Sequence, residues 1–126
     1  MRKIIHTNKA PAAIGTYSQA IVHGDLLYTS GQIPIVPETG EMLEKDFSQQ
    51  THQVFKNLNA LAEAANTSLQ NTIKLNIFVQ DLSHFATLNT IMAEYFQEPY
   101  PARAAIQVAG LPKDSMVEMD AIIAIS

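Results

Sequence analysis

"YPARAAIQVAGLPKDSMVEMD", residues 100–120, reads as two short apolar strands joined by a turn, with Arg103 at the mouth of the first and Glu118 inside the second. The strands run over roughly 102–109 and 116–125, either side of the "GLPKDS" loop. If Ala109 pairs with Met116, Gln107 lies opposite Glu118, and Arg103, Gln107, Glu118 and Asp120 all point to one side. Pro112 can shift that register by introducing a bulge.

The end of the chain extends the reading. In "VEMDAIIAIS", Ile123 and Ile125 face one way while Ile122 and Ala124 face the other, so both faces are apolar. A strand with one face in water alternates cleanly, whereas one buried on both faces does not. The expectation is a sheet whose uncovered face packs against another copy of the chain. An apolar tail on an ordinary surface is the alternative, and patches of that size are uncommon on monomers.

Upstream, the periodicity changes. Phe47, Thr51, Val54, Leu58, Leu61 and Ala65 recur at helical spacing, predicting a helix from Asp46 to about Asn66, with Asp46 or Ser48 as its cap. "IKLNIFVQD" (73–81) alternates as a strand, with Leu75, Ile77 and Val79 on one side and Lys74, Asn76 and Phe78 on the other. Ser83 is placed to cap a second helix reaching about Gln97, with Phe85, Leu88, Met92 and Phe96 as its apolar face and "EPYP" as its stop. "HGD" (23–25) marks a tight hairpin between "SQAIV" and "LLYTSGQI", and "PIVPETGE" (34–41) a longer turn. The order βββ-α-β-α-ββ predicts an α+β fold over residues 1–126, one domain, with both helices on one face of a mixed sheet.

Composition narrows the function classes. Of 126 residues, 47% are hydrophobic and only 16% charged, which again hints at surface hidden by self-association. There is no cysteine, which excludes disulfides and a thiol nucleophile and suits a reducing cytoplasm. No apolar stretch has signal-peptide or membrane-spanning character. The basic residues Arg2, Lys3, Lys9, Lys45, Lys56, Lys74, Arg103 and Lys113 are scattered, so no nucleic-acid partner is expected. His6, His23, His52 and His84 show no ligand spacing, and no phosphate-cradling or dinucleotide glycine motif occurs, so neither metal nor cofactor is expected.

Chemistry can be read at a few positions. A guanidinium suits a planar carboxylate, Ala105 leaves room beside Arg103, and Glu118 could orient or deprotonate a water. Equally, Arg103 and Glu118 or Asp120 could simply neutralise each other at an interface. Gly31, inside "YTSGQIP" beside Ser30, marks either a plain bulge or a place where something approaches the backbone closely. Tyr17 could line a pocket or sit in an interface, and Asn89 lies mid-helix, where asparagine is commonly just solvated.

Together "APAAIGTYSQA", "LLYTSGQIP", "IFVQDLSHF" and above all "PARAAIQVAGLPKDSMVEM" resemble the Rid/YjgF family of 2-iminobutanoate/2-iminopropanoate deaminases over nearly the whole chain. The resemblance implies a chorismate-mutase-like fold and a homotrimer whose sheets form a central barrel, with sites in clefts between subunits. It implies that Arg103 holds the carboxylate of a small 2-imino acid, that Glu118 stands near the attacking water, and that Tyr17, Ser30, Gly31 and Asn89 line the cleft. Two positions depart from the pattern: Ala105 stands where many relatives have cysteine, and Thr16 where a proline usually precedes the tyrosine. A non-catalytic binder of 2-keto or amino acids, a ribonuclease or translation inhibitor, and a chorismate mutase are the competing readings, and fold alone does not choose among them.

Overall fold

The computed structural model describes residues 1–125. A six-stranded sheet runs in the order β1-β2-β3-β8-β6-β7, with β1 Arg2–Ile5, β2 Ala20–His23, β3 Leu26–Thr29, β6 Thr72–Val79, β7 Ala102–Gln107 and β8 Val117–Ala124. A separate two-stranded ribbon, β4 Ile35–Val36 with β5 Glu41–Met42, precedes α1 (Phe47–Ala64), and α2 (Phe85–Tyr95) lies between β6 and β7. Every pairing in the large sheet is antiparallel except β6 with β7. This is the expected α+β arrangement.

Local sequence explains the elements it predicted well. Asp46 caps α1, its carboxylate accepting from the Gln49 amide at 3.0 Å. The buried face of α1 is Phe47, Thr51, Val54, Leu58 and Leu61, joined by Phe55. It packs on the side of the sheet that presents Leu27, Leu75, Ile77, Met119 and Ile123, all essentially solvent-free. Gly24 (φ +62°) turns β2 into β3, a left-handed conformation that glycine adopts without a Cβ clash.

Two expectations are corrected. Strands β7 and β8 do not form a hairpin, because β6 lies between them, parallel to β7 and antiparallel to β8. The unit β6-α2-β7 is a parallel crossover, and the 108–116 segment then carries the chain across to the other flank of β6. β6 thus takes β8 on one side and the edge strand β7 on the other. Gln107 therefore lies level with Val79 and Val117, and Glu118 with Phe78 and Ile106. The second helix, in turn, is not capped by Ser83. Asp81 accepts from the Ser83 amide at 2.9 Å, a single turn of 3₁₀ helix follows, and α2 ends at Tyr95.

The face away from the helices is uncovered. Register aligns Ile4, Ile21, Tyr28 and Ile122 in one apolar row across four strands. Ile4 is 66% exposed and Tyr28 41%, and Ile106 near the far rim is 50% exposed. No described helix is long and apolar enough to cross a membrane.

Candidate functional site

Two cavities collect the predicted site residues. The larger, about 420 Å³, opens beside the end of β3 and the start of β8 and is lined by Tyr17, Ser30, Gly31 and Glu118. The second, about 340 Å³, lies at the mouth of β7 against α2 and is lined by Asn89, Tyr100 and Arg103. Ala105 lines neither; it sits half-buried on the helix side of β7, level with Ile77.

The split follows from sheet geometry. Arg103 pairs with Leu75, whose side chain is in the core, so the guanidinium also emerges on the helix side. There Nη1 donates to Asn89 Oδ1 at 2.5 Å, and the guanidinium lies 4.9 Å from the centre of the Phe85 ring. Glu118 and Asp120 alternate with buried Val117, Met119 and Ala121 and thus emerge on the open side. The expectation that Arg103, Gln107, Glu118 and Asp120 share one face is corrected: within one chain the cation and the carboxylates lie on opposite faces. Gln107 is occupied elsewhere, accepting from the Leu82 amide at 3.0 Å.

Among the described residues, no acid pairs with Arg103. Its partners are an amide oxygen, an aromatic face and the Met92 sulfur at 3.4 Å, which leave the charge uncompensated and part of its donor fork free. The mid-helix Asn89 thus acquires a definite task, orienting the guanidinium.

Around the larger cavity the backbone is tightly specified. A Cβ on Gly31 would lie 2.2 Å from Glu118 Oε2 and 3.0 Å from its carboxyl carbon, so the carboxylate rests against a glycine that has no side chain to exclude it. Both readings of Gly31 are realised: between the Tyr28–Ile122 and Gln32–Met119 pairs its segment carries one more residue than the partner strand, and the Glu118 carboxylate approaches the glycine closely. The neighbouring bridge between Gln32 and Met119 (2.7 and 3.1 Å) holds the two segments together. Burial raises the Glu118 carboxyl above its ordinary range, and the like charge of Asp120 on the same face adds to that. Asn76 donates to Asp120 Oδ1 at 2.8 Å and fixes that second carboxylate. The Ser30 hydroxyl donates to the Ser18 carbonyl at 2.6 Å, so toward the cavity Ser30 can act only as an acceptor.

Residues that the sequence reading missed complete the walls. Gln19, buried, holds the 7–11 segment through its amide: Oε1 accepts from Thr7 N at 2.8 Å, and Nε2 donates to the carbonyls of Thr7, Ala10 and Pro11 at 3.0, 3.3 and 2.8 Å. Tyr17 closes the next turn, its hydroxyl accepting from Ile14 N at 3.2 Å, with Thr16 exposed between. Lys113 lines the same cavity from the 108–116 loop. A glutamine among apolar strand residues was the available signal for the first; nothing in "GLPKDS" marks the lysine. The histidines are placed elsewhere: His52 Nδ1 lies 2.8 Å from the Tyr95 hydroxyl, and His84 stacks on Phe47 at 4.4 Å. Among the described residues no group of three metal-ligating side chains converges.

Known proteins match this chain along its length. A RutC family protein of Pyrococcus horikoshii is 48% identical over 122 residues, covering 97% of each chain. A Rattus norvegicus protein named 2-iminobutanoate/2-iminopropanoate deaminase is 43% identical over 97% of this chain and 89% of its own. The crystal structure of RidA from the Antarctic bacterium Psychrobacter sp. PAMC 21119 superposes with a TM-score of 0.94 at 50% identity, covering 98% of this chain and 99% of that one. The family model described as Endoribonuclease L-PSP matches residues 7–125. With agreement of that length in both sequence and backbone, the chain belongs to the Rid/YjgF family.

Proposed function

We propose that the protein hydrolyses small 2-imino acids such as 2-iminopropanoate and 2-iminobutanoate, released by pyridoxal-dependent dehydratases in the cytoplasm, to 2-keto acids and ammonia. The observation that carries this reading is the pairing of an uncompensated, pre-oriented Arg103 with a half-buried, unpaired Glu118 in two separate cavities. Neither cavity alone holds both the guanidinium fork suited to an α-carboxylate and the carboxyl that could activate water. Two copies supply both if the Arg103 cavity of one faces the Glu118 cavity of the next. The uncovered apolar row Ile4–Ile21–Tyr28–Ile122 supports such association. Heterologous contacts of this kind close into rings, and we take a trimer, with the sheets inward, as the assembly.

In the assembled cleft Arg103 grips the substrate carboxylate through parallel N–H donors and fixes the imine carbon. Glu118 accepts a proton from a water as its oxygen bonds to that carbon and the C=N π electrons move to nitrogen. The resulting tetrahedral carbinolamine is protonated on nitrogen, the C–N bond breaks, and its hydroxyl loses a proton as C=O forms. One water is consumed and one ammonia leaves, with no change of oxidation state. Imines already hydrolyse in water, so positioning plus one proton-transfer group, roughly 10²–10⁴-fold for the latter, is sufficient.

The test mixes two inactive chains. Arg103→Ala and Glu118→Gln proteins, each near the uncatalysed rate alone, are refolded together and assayed for pyruvate release from 2-aminoacrylate generated in situ. Restored activity, about a quarter of wild type for random mixing in a ring, is the expected result. No restoration from well-folded mixtures overturns the shared site. The ribonuclease reading is favoured instead if nuclease-free protein cuts RNA in an Arg103-dependent way.

A further inference from the structure

The 108–116 loop contains the most strained backbone next to the larger cavity. Lys113 (φ +54°) and Asp114 (φ +56°) are consecutive non-glycine residues in the left-handed region, which L side chains seldom occupy. Such conformations persist only where the surroundings enforce them, and they gather at binding sites. The enforcement is visible. The Asp114 carboxylate is paired with Lys45 and accepts from Gln80 Nε2 at 3.2 Å. Gln80 also donates to the Ser115 carbonyl at 2.9 Å, and buried Gln50 accepts from Met116 N at 2.9 Å. Lys45 and Gln80 therefore satisfy the acid, and the turn delivers its neighbour Lys113 to the cavity wall.

Lys113 remains uncommitted there. Among the described residues Lys45–Asp114 is the sole ion pair, so Lys113 is not neutralised by Glu118 across the same cavity. The remaining wall is largely apolar, with Pro11, Ile14, Ile33 and Pro112. The cavity's 420 Å³ lies within the ~300–1,000 Å³ range of small-molecule sites and exceeds what a three-carbon acid fills. Spare volume bounded by apolar side chains and ending on a free ammonium is suited to a longer substrate with a second anionic end.

We infer that Lys113 is a specificity-determining residue that binds the distal carboxylate of four- and five-carbon 2-imino dicarboxylates while Arg103 of a neighbouring copy holds the α-carboxylate. The inference rests on the deaminase reading of the same site. A flexible ammonium is a point charge that accommodates side chains of two lengths better than a rigid guanidinium fork.

Two measurements test it and separate it from that reading. The first compares kcat/KM for 2-iminosuccinate and 2-iminoglutarate, made in situ by amino-acid oxidases, with that for 2-iminopropanoate. Lys113→Met is expected to lower the dicarboxylate values about tenfold and leave 2-iminopropanoate within about twofold, with Lys113→Arg retaining most of the difference. Lys113→Gly, which removes the charge while easing the backbone, must give the same pattern as Lys113→Met. The second measures binding of 2-oxoglutarate against pyruvate by calorimetry, where the same variants weaken only the former. Equal losses for mono- and dicarboxylates, or none, overturn the subsite. Lys113-dependent 2-oxoglutarate binding without turnover of any imine keeps the subsite and sinks the deaminase reading; turnover of 2-iminopropanoate without a Lys113-dependent difference does the reverse.

Discussion

The two cavities are built on different principles. The one around Glu118 is framed by central strands, a buried amide and a backbone bridge, and its carboxyl is half-buried. The one around Arg103 sits on the edge strand, where the guanidinium is exposed and braced by a single helix. The first is the more enclosed by its own chain's backbone; the second presents its charge outward. On the proposed reading, a single chain holds the water-activating carboxyl and the α-carboxylate anchor apart, and assembly would join them.

The largest expected effect comes from the more enclosed side. Glu118→Gln should lower kcat by about 10²–10⁴-fold while pyruvate binding, followed by calorimetry, changes little. Loss of binding in step with turnover would erase the division of labour. On the outward side, Arg103→Ala should cost about 10²-fold in kcat/KM, and Arg103→Lys should recover only a minor part, because an ammonium lacks the parallel donors. Full recovery by lysine would mean that plain charge suffices. Gly31→Ala connects structure to function more subtly: its methyl must push the Glu118 carboxylate aside, with roughly a tenfold fall in kcat and little change in KM.

The smallest effect concerns stability, and its sign follows from proton linkage. Folding raises the Glu118 pKa, so the ionised carboxyl disfavours the folded state at neutral pH, and this disadvantage vanishes as pH falls below the group's unfolded value. Glu118→Gln should therefore raise Tm slightly at pH 7, by about 1–2 °C, and give no gain near pH 3. In activity, Asp120→Asn should move the acid-side inflection of kcat to lower pH, because only burial then remains to hold the carboxyl up. An unmoved inflection would assign the shift to burial alone.

What the sequence revealed was local, and what it concealed was pairing. The 3.6-residue period of Phe47–Leu61, the Asp46 cap, the glycine turn at Gly24 and the alternation of β6 each depend on neighbours a few residues away, and each is realised. Strands β7 and β8 are adjacent in sequence, and adjacency suggests a hairpin; yet each pairs with β6, which lies between them. Every consequence of that one substitution of partner, including the placement of Arg103 and Glu118 on opposite faces, lay beyond local reading. Family resemblance named the candidate site residues without their geometry. Lys113 escaped both routes, since its position depends on a turn enforced by Lys45 and Gln50 around the start of α1 and by Gln80 after β6, two segments distant in sequence.

Gln19 spends one side chain on hydrogen bonds to backbone groups at residues 7, 10 and 11. The leading stretch is thus tethered through atoms common to almost every amino acid. Positions such as Asn8, Lys9, Ala12 and Ala13 can drift freely and reshape the rim of the cleft, while a single change at the glutamine unfastens the entire flap.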